Sequence, residues 1–197
     1  MKTKLLLLSI IFVFAAGVIT QAQIKKYDIK SGIITFQTDM KMGSMQLTTK
    51  SIVYFDDYGM KECKETYTND KLRTSVFSDG KNLYLLNHTQ KTVTNQGPAY
   101  RGTEVRMEKT EFGSQKDWDA GSIKEAPAMT VAGKTCEVIV TDDGKGSVAT
   151  YGGWDRILLY LDVQTQSVRS TQHAMKVEEN AKVPPEKFTV PAGYKVQ

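Results

Sequence analysis

The sequence predicts a mainly β protein built as one antiparallel sheet. Three observations predict it. About ten short stretches alternate apolar and polar residues with a period of two. Glycine, asparagine and aspartate separate those stretches at hairpin spacing. Little of the chain reads as helix, so the sheet has to fold on itself, close or curve to hide its apolar face.

The chain opens with a leader. Lys2 and Lys4 precede an apolar run from Leu5 to Ile19, interrupted only by Ser9, and Thr20-Gln21-Ala22 supplies small residues at cleavage spacing. This pattern predicts a signal peptide over residues 1–22, cut before Gln23, with a single domain over 23–197. Ile34, Phe36, Met40 and Met42 then alternate with Thr35, Gln37, Asp39 and Lys41; Gly43-Ser44 turns the chain, and Met45, Leu47, Val53 and Phe55 continue at alternate positions. Together they predict a long β-hairpin. Asp56-Asp57-Tyr58-Gly59 is the next turn, before a strand from Met60 to Tyr67. Asn69-Asp70 leads into Leu72–Phe77, Ser78 to Asn82 into Leu83–Leu86, and Lys91–Thr94 follows.

The stretch Asn95–Ala128 breaks the rhythm, with Gly97-Pro98, Gly102, Gly113 and Gly121 among many charges. It reads as one irregular insertion, either a lid or a solvated connection. Within it Glu104-Val105-Arg106-Met107 fits a short helix or a strand edge. Strand character returns at Met129–Val131, turns at Ala132-Gly133-Lys134 and continues through Cys136, Val138 and Val140. Asp142 to Gly146 is a turn, Ser147–Tyr151 a short strand, and Gly152-Gly153 an interruption. Arg156–Val163 is the most apolar strand of the second half, Ser167–Val177 a further one, and Val183–Phe188 allows one helical turn before Pro191.

Removing the leader takes away two lysines and no acid, so the formal charge falls from +4 to +2. A nearly balanced chain without a Lys/Arg-rich block offers nothing to nucleic acid. Beyond the leader no stretch is long and apolar enough to span a bilayer. With no cysteine at the cleavage junction, the expected destination is periplasmic or secreted, without a lipid anchor. Cys63 and Cys136 are the only cysteines. In a disulfide-permitting compartment they either form the one available bridge or stay as two thiols on strands.

Chemical motifs are sparse. Met40, Met42 and Met45 form a thioether cluster of the kind that takes Cu(I), though alternation assigns Met40 and Met42 to an apolar strand face. His88 and His173 lack zinc-site spacing. Asp142-Asp143-Gly144 lacks the alternating acids of a calcium loop and reads as a turn. Asp56-Asp57, Asp117 and Asp119 suit turn chemistry better than paired acid catalysis. No nucleophile elbow, phosphate loop or dinucleotide fingerprint occurs. The expectation is therefore a non-enzyme with no cofactor and no metal. Trp118 and Trp154 fall outside the alternation, either at a cavity mouth or as cover for the sheet's open end.

Four stretches carry a resemblance: Val53-Tyr54-Phe55-Asp56-Asp57-Tyr58-Gly59; Leu83-Tyr84-Leu85-Leu86-Asn87 with Lys91-Thr92-Val93; Val131-Ala132-Gly133-Lys134-Thr135-Cys136; and Phe188 to Tyr194. In these the chain resembles secreted proteins of Bacteroidetes-like bacteria, related in architecture to lipoprotein carriers of the LolA/LolB type. The resemblance implies an incomplete barrel with helical or irregular segments across its open side, and a concavity able to hold acyl chains. The expected function is an exported binding protein holding a lipid or lipidated chain on the concave face. Phe36, Met40, Leu47, Phe55, Tyr84 and Leu159 are the residues expected to line it. The alternative is an envelope structural or interaction module with a filled interior, acting through edge strands or loops.

Overall fold

The computed structural model describes residues 25–99 and 112–197. The leader at 1–22 and the reading of Glu104–Met107 lie outside the described residues. Twelve strands form one sheet: β1 (Gly32–Met42), β2 (Met45–Asp56), β3 (Lys61–Thr68), β4 (Lys71–Ser78), β5 (Asn82–Asn87), β6 (Thr92–Pro98), β7 (Ile123–Val131), β8 (Lys134–Asp142), β9 (Val148–Trp154), β10 (Ile157–Gln164), β11 (Val168–Glu179) and β12 (Lys195–Val196). A short helix, α1 (Gln115–Asp119), precedes β7, and 3-10 turns occupy Asp57–Gly59 and Pro185–Phe188. Among the described residues no helix is long and apolar enough to cross a membrane.

The strand order is β12-β6-β5-β4-β3-β2-β1-β11-β10-β9-β8-β7. Every pairing is antiparallel except the two-residue contact of β12 with β6. The end strands, β12 and β7, are not paired to each other, so the sheet stays unclosed. Tight turns do most of the connecting. Asn69 and Asp70 both take positive φ, 50° and 57°, which suits a two-residue hairpin turn between β3 and β4.

The reading of Asn95–Ala128 as one irregular insertion is corrected at both ends. β6 runs on to Pro98, and β7 begins at Ile123. β7 escapes a periodicity search because it lies at the sheet edge and buries only its two end residues, Ile123 and Val131.

Register shifts bend the sheet. On β10, Leu158 opposes Gly153 and Tyr160 opposes Gly152, leaving Leu159 as the extra residue. A second shift separates Thr35 from Phe36 against β11. Such bulges kink a strand and raise its twist, which is how one sheet wraps a core without a second layer. Gly152 permits a close approach here. A Cβ on it would sit 3.0 Å from Tyr160 Cβ and 3.1 Å from Met129 Sδ.

Among the described residues three apolar clusters result. The largest joins Ile34 and Phe36, Val53 and Phe55, Cys136, Ile157, Leu159 and Ala174, closed by Tyr27 and Ile29 of the N-terminal segment. The second gathers Cys63, Phe77, Leu86 and Val93 under Phe188 of the C-terminal segment. The third centres on Ile123 and Ile139, with Phe112 and Trp118 packed on it. Tyr54 and Phe55 are successive residues of β2, so they point to opposite faces. One joins the second cluster and the other the first, and the sheet is therefore buried on both sides at β2.

This separation settles the cysteines. Cys63 and Cys136 are both buried free thiols in different clusters, so the bridge considered from sequence does not form. Burial, reinforced by the neighbouring charge of Glu65, pushes the Cys63 thiol up to about 12. It stays protonated and unreactive at neutral pH.

Candidate functional site

Register brings residues from seven strands into one line. Leu47 opposes Met40, Met40 opposes Ser170, and Ser170 opposes Val163. Val163 opposes Ala149, Ala149 opposes Thr141, and Thr141 opposes Ile123. Directly opposed residues share a face, so these seven side chains form a single cross-strand row. At about 4.8 Å per inter-strand step, the row is about 29 Å long. Met45, Met42 and Val168 make a parallel, shorter row beside it.

One end of the row is open. Met40, Met42, Met45 and Leu47 are exposed by 40, 49, 61 and 45 %. The other end enters a cleft of about 250 Å³, lined by Phe112, Ile123, Ala149 and Val163 with three acids at its rim, Asp117, Asp142 and Asp143. The cleft wall is built by α1 and the residues just before it. Asp117 accepts hydrogen bonds from the Ser114 N–H (2.9 Å) and Oγ (2.6 Å), which fix the helix start. Phe112 packs edge-on against Tyr151, centroids 4.9 Å apart. Hydrogen bonds from Ser114 hold the Asp117 carboxyl below its usual range, and backbone N–H donors from Ser147 and Lys145 do the same for Asp143. Those two carboxyls, Asp117 and Asp143, are therefore ionised at neutral pH.

Towards the core, a polar row of Thr49, Thr38 and Gln172 borders the exposed apolar residues. The opposite face of the same strands is polar. Thr48 Oγ1 donates to Asp39 (2.6 Å), and Asp162 accepts from Arg169 Nε (3.1 Å), Arg169 Nη2 (2.9 Å) and Thr171 Oγ1 (2.8 Å). His173 lies on this polar face, opposite Gln37 and Tyr160.

The six residues expected to line a ligand face thus separate. Met40 and Leu47 stand on the open apolar row. Phe36 and Phe55 point to the same side but are 4 % and 1 % exposed, sealed in the largest cluster. Leu159, at 0 %, fills the bulge and faces no open space. Tyr84 shares a face with Phe77, Cys63 and Tyr54, away from the row, and stacks on Phe77 at 4.8 Å. Val163, Ala149, Thr141, Ile123 and Val168 were not singled out from sequence. Alternation does not mark Ile123, and no local pattern reveals the pairing of β1 with β11, far apart in the chain, that continues the row past Met40. Trp118 covers the cleft cluster, while Trp154 packs on the largest cluster with Lys134 Nζ 4.3 Å from its ring centroid.

A second polar arrangement lies under the C-terminal segment. His88 Nε2 is 2.6 Å from Ser75 Oγ, and its Nδ1 is 2.6 Å from Tyr194 OH. Nearby, buried Glu65 accepts from Lys187 Nζ (2.6 Å) and Tyr67 OH (2.7 Å). Ser75 is buried, and the trio ties Tyr194 of the C-terminal segment to β4. Burial lowers the His88 pKa below 6.5, with Glu65 opposing that shift and Lys187 adding to it. An unfolded chain then takes up the proton first as pH falls, so folded stability is full above about pH 6.5 and declines below it. Thermal unfolding at pH 7.5 and 5.5 should show a lower midpoint at the acidic value, and His88→Gln should shrink the difference. The low-lying carboxylates, including Asp162, act in a separate window below their ordinary 3.8. Among the described residues no group of three or more His, Cys, Asp or Glu side chains is placed to hold a metal ion.

No family model and no curated protein matches the chain. Solved structures share its fold. An uncharacterized conserved protein from Thermus thermophilus superposes over 85 % of this chain and 90 % of its own, with a TM-score of 0.56 at 8 % identity. The Pseudomonas aeruginosa MucA/MucB complex matches over 85 % of this chain and 58 % of the matched chain, with a TM-score of 0.50 at 14 % identity. The LolA superfamily protein NE2245 from Nitrosomonas europaea aligns over 83 % and 91 %, at 0.42 and 8 % identity. At such identities the likeness is one of fold.

Proposed function

We propose that this chain is an exported, non-enzymatic binding protein that lays an apolar chain, from a lipid or a lipidated molecule, along the cross-strand row. The observation that carries this reading is the continuity of the row. Exposed Leu47 and Met40 lead through Ser170 and Val163 into the cleft at Ala149 and Ile123, on one face of one sheet. Folded proteins rarely leave an apolar patch such as the one formed by Met40, Met42, Met45 and Leu47 uncovered without a use for it. Methionine suits the role, because its flexible thioether adapts to chains of different shape.

The affinity comes from area withdrawn from water. Each buried methylene contributes about 0.8 kcal/mol, which is about fourfold in binding. Protein purified without detergent should carry a lipid-like ligand in native mass spectrometry. After delipidation, fatty acids of increasing length should bind about fourfold more tightly per added methylene until the row is filled. Affinity independent of chain length, or no binding, overturns the proposal.

A further inference from the structure

The β1–β2 hairpin outreaches its neighbour on one side. β2 starts at Met45, but its pairing with β3 begins only at Lys50. Beyond Thr68 the chain turns away at Asn69-Asp70 into β4. Along Met45–Thr49, β2 is paired to β1 alone, and among the described residues no backbone hydrogen bond reaches it from the β3 side.

The hydrogen-bonding direction follows from the turn. Met42 and Met45 flank the two-residue Gly43-Ser44 turn and face each other as the closing pair, so they bond across the hairpin. Alternation then points the N–H and C=O of Gln46 and Thr48 outward. The side chains alternate as well. Met45 and Leu47 stand on the apolar row's face, while Gln46 and Thr48 stand on the polar face, where Thr48 bonds Asp39.

The other two edges of the sheet are blunted in the usual ways. β7 carries Pro127, the charges of Lys124 and Glu125, and a register shift between Ala126 and Met129. β6 ends in Gly97-Pro98 and is partly capped by β12. Proline, bulges, charge and covering segments are what proteins use to stop edges from pairing. Met45–Thr49 has no proline, no charge and no register shift, and among the described residues no strand pairs with it on that side.

From this contrast we infer that Met45–Thr49 is a docking edge for an extended segment of a protein partner. The partner adds as a strand beside β2, with apolar side chains at alternate positions against Met45 and Leu47, and polar ones beside Gln46 and Thr48. Backbone bonds to Gln46 and Thr48 give the affinity, and the apolar side chains give the selectivity. This inference rests on the unpaired edge and not on lipid occupancy of the row.

The test uses the full mature chain and a soluble seven-residue peptide of alternating valine and threonine, flanked by lysines. Amide chemical shifts are expected to move at Gln46 and Thr48. Gln46→Pro removes an N–H that the monomer does not use and leaves the row intact, and should weaken binding about tenfold or more. A peptide N-methylated at alternate amides should bind equally poorly. Fatty-acid binding, read on the same samples, should be unchanged in Gln46→Pro, so failure of the two readings can be told apart. The inference is overturned if the peptide does not bind, if Gln46→Pro binds it as well as the parent chain does, or if the shifts fall elsewhere. A concentration-dependent dimer that Gln46→Pro abolishes also overturns it, because the edge then serves a second copy of the chain.

Discussion

Leu159→Ala is expected to lower folding stability by about 2–5 kcal/mol while leaving fatty-acid affinity per folded molecule unchanged. Leu159 is fully buried in the bulge of β10, inside the cluster formed by Ile34, Phe36, Phe55 and Ala174. Truncation removes its transfer free energy and leaves a cavity that a sheet pinned on both sides of the bulge closes poorly. Chemical denaturation measures the loss directly. If instead Leu159 lined a ligand channel, the variant would stay about as stable as the parent and bind fatty acid differently. That outcome would break the division between core and row drawn above.

The reciprocal result is expected for the double variant Met40→Gln and Leu47→Gln. Both positions are roughly half-exposed and belong to none of the apolar clusters of the described residues, so stability should stay within about 1 kcal/mol. Glutamine matches methionine in length and replaces an apolar tip by an amide. A ligand chain lying there loses two apolar partners, each worth about 1.5–3 kcal/mol for full burial and about half that from its half-exposed state, so affinity should fall about 10- to 100-fold. Isothermal titration with one long-chain fatty acid reads the effect. Unchanged affinity with an unchanged fold would move the ligand off the row. Taken together the two variants separate a residue that holds the sheet from residues that meet a ligand, although all three were grouped as one apolar face from sequence.

The reason for that grouping is local. Along β1 the alternation of Ile34, Phe36, Met40 and Met42 correctly assigns a common face. It cannot say that the face is covered at Phe36, inside the cluster that also holds Tyr27, Ile29 and Val131, and open at Met40. Tyr84 stands apart from the row for a different reason. Its strand has the expected pattern, but the sheet has cores on both sides, and β5 turns Tyr84 to the one under Phe188. Period-two patterning marks an apolar face without stating which of two covers it meets.

Short-range chemistry was legible at the hairpins. The Gly43-Ser44 and Asn69-Asp70 turns with the strands they join, and the turn at Ala132-Gly133 before β8, follow from residue type and spacing, because a hairpin is fixed by neighbours in sequence. The antiparallel class followed from the same signals. Only the tertiary structure decided that β1 pairs with β11, which lines up Met40, Ser170 and Val163. It also decided that β2 runs past the end of β3, and that Cys63 and Cys136 belong to separate cores. Each depends on residues many positions apart meeting at one register, and that choice is made by the summed burial of whole strands, which no local window contains.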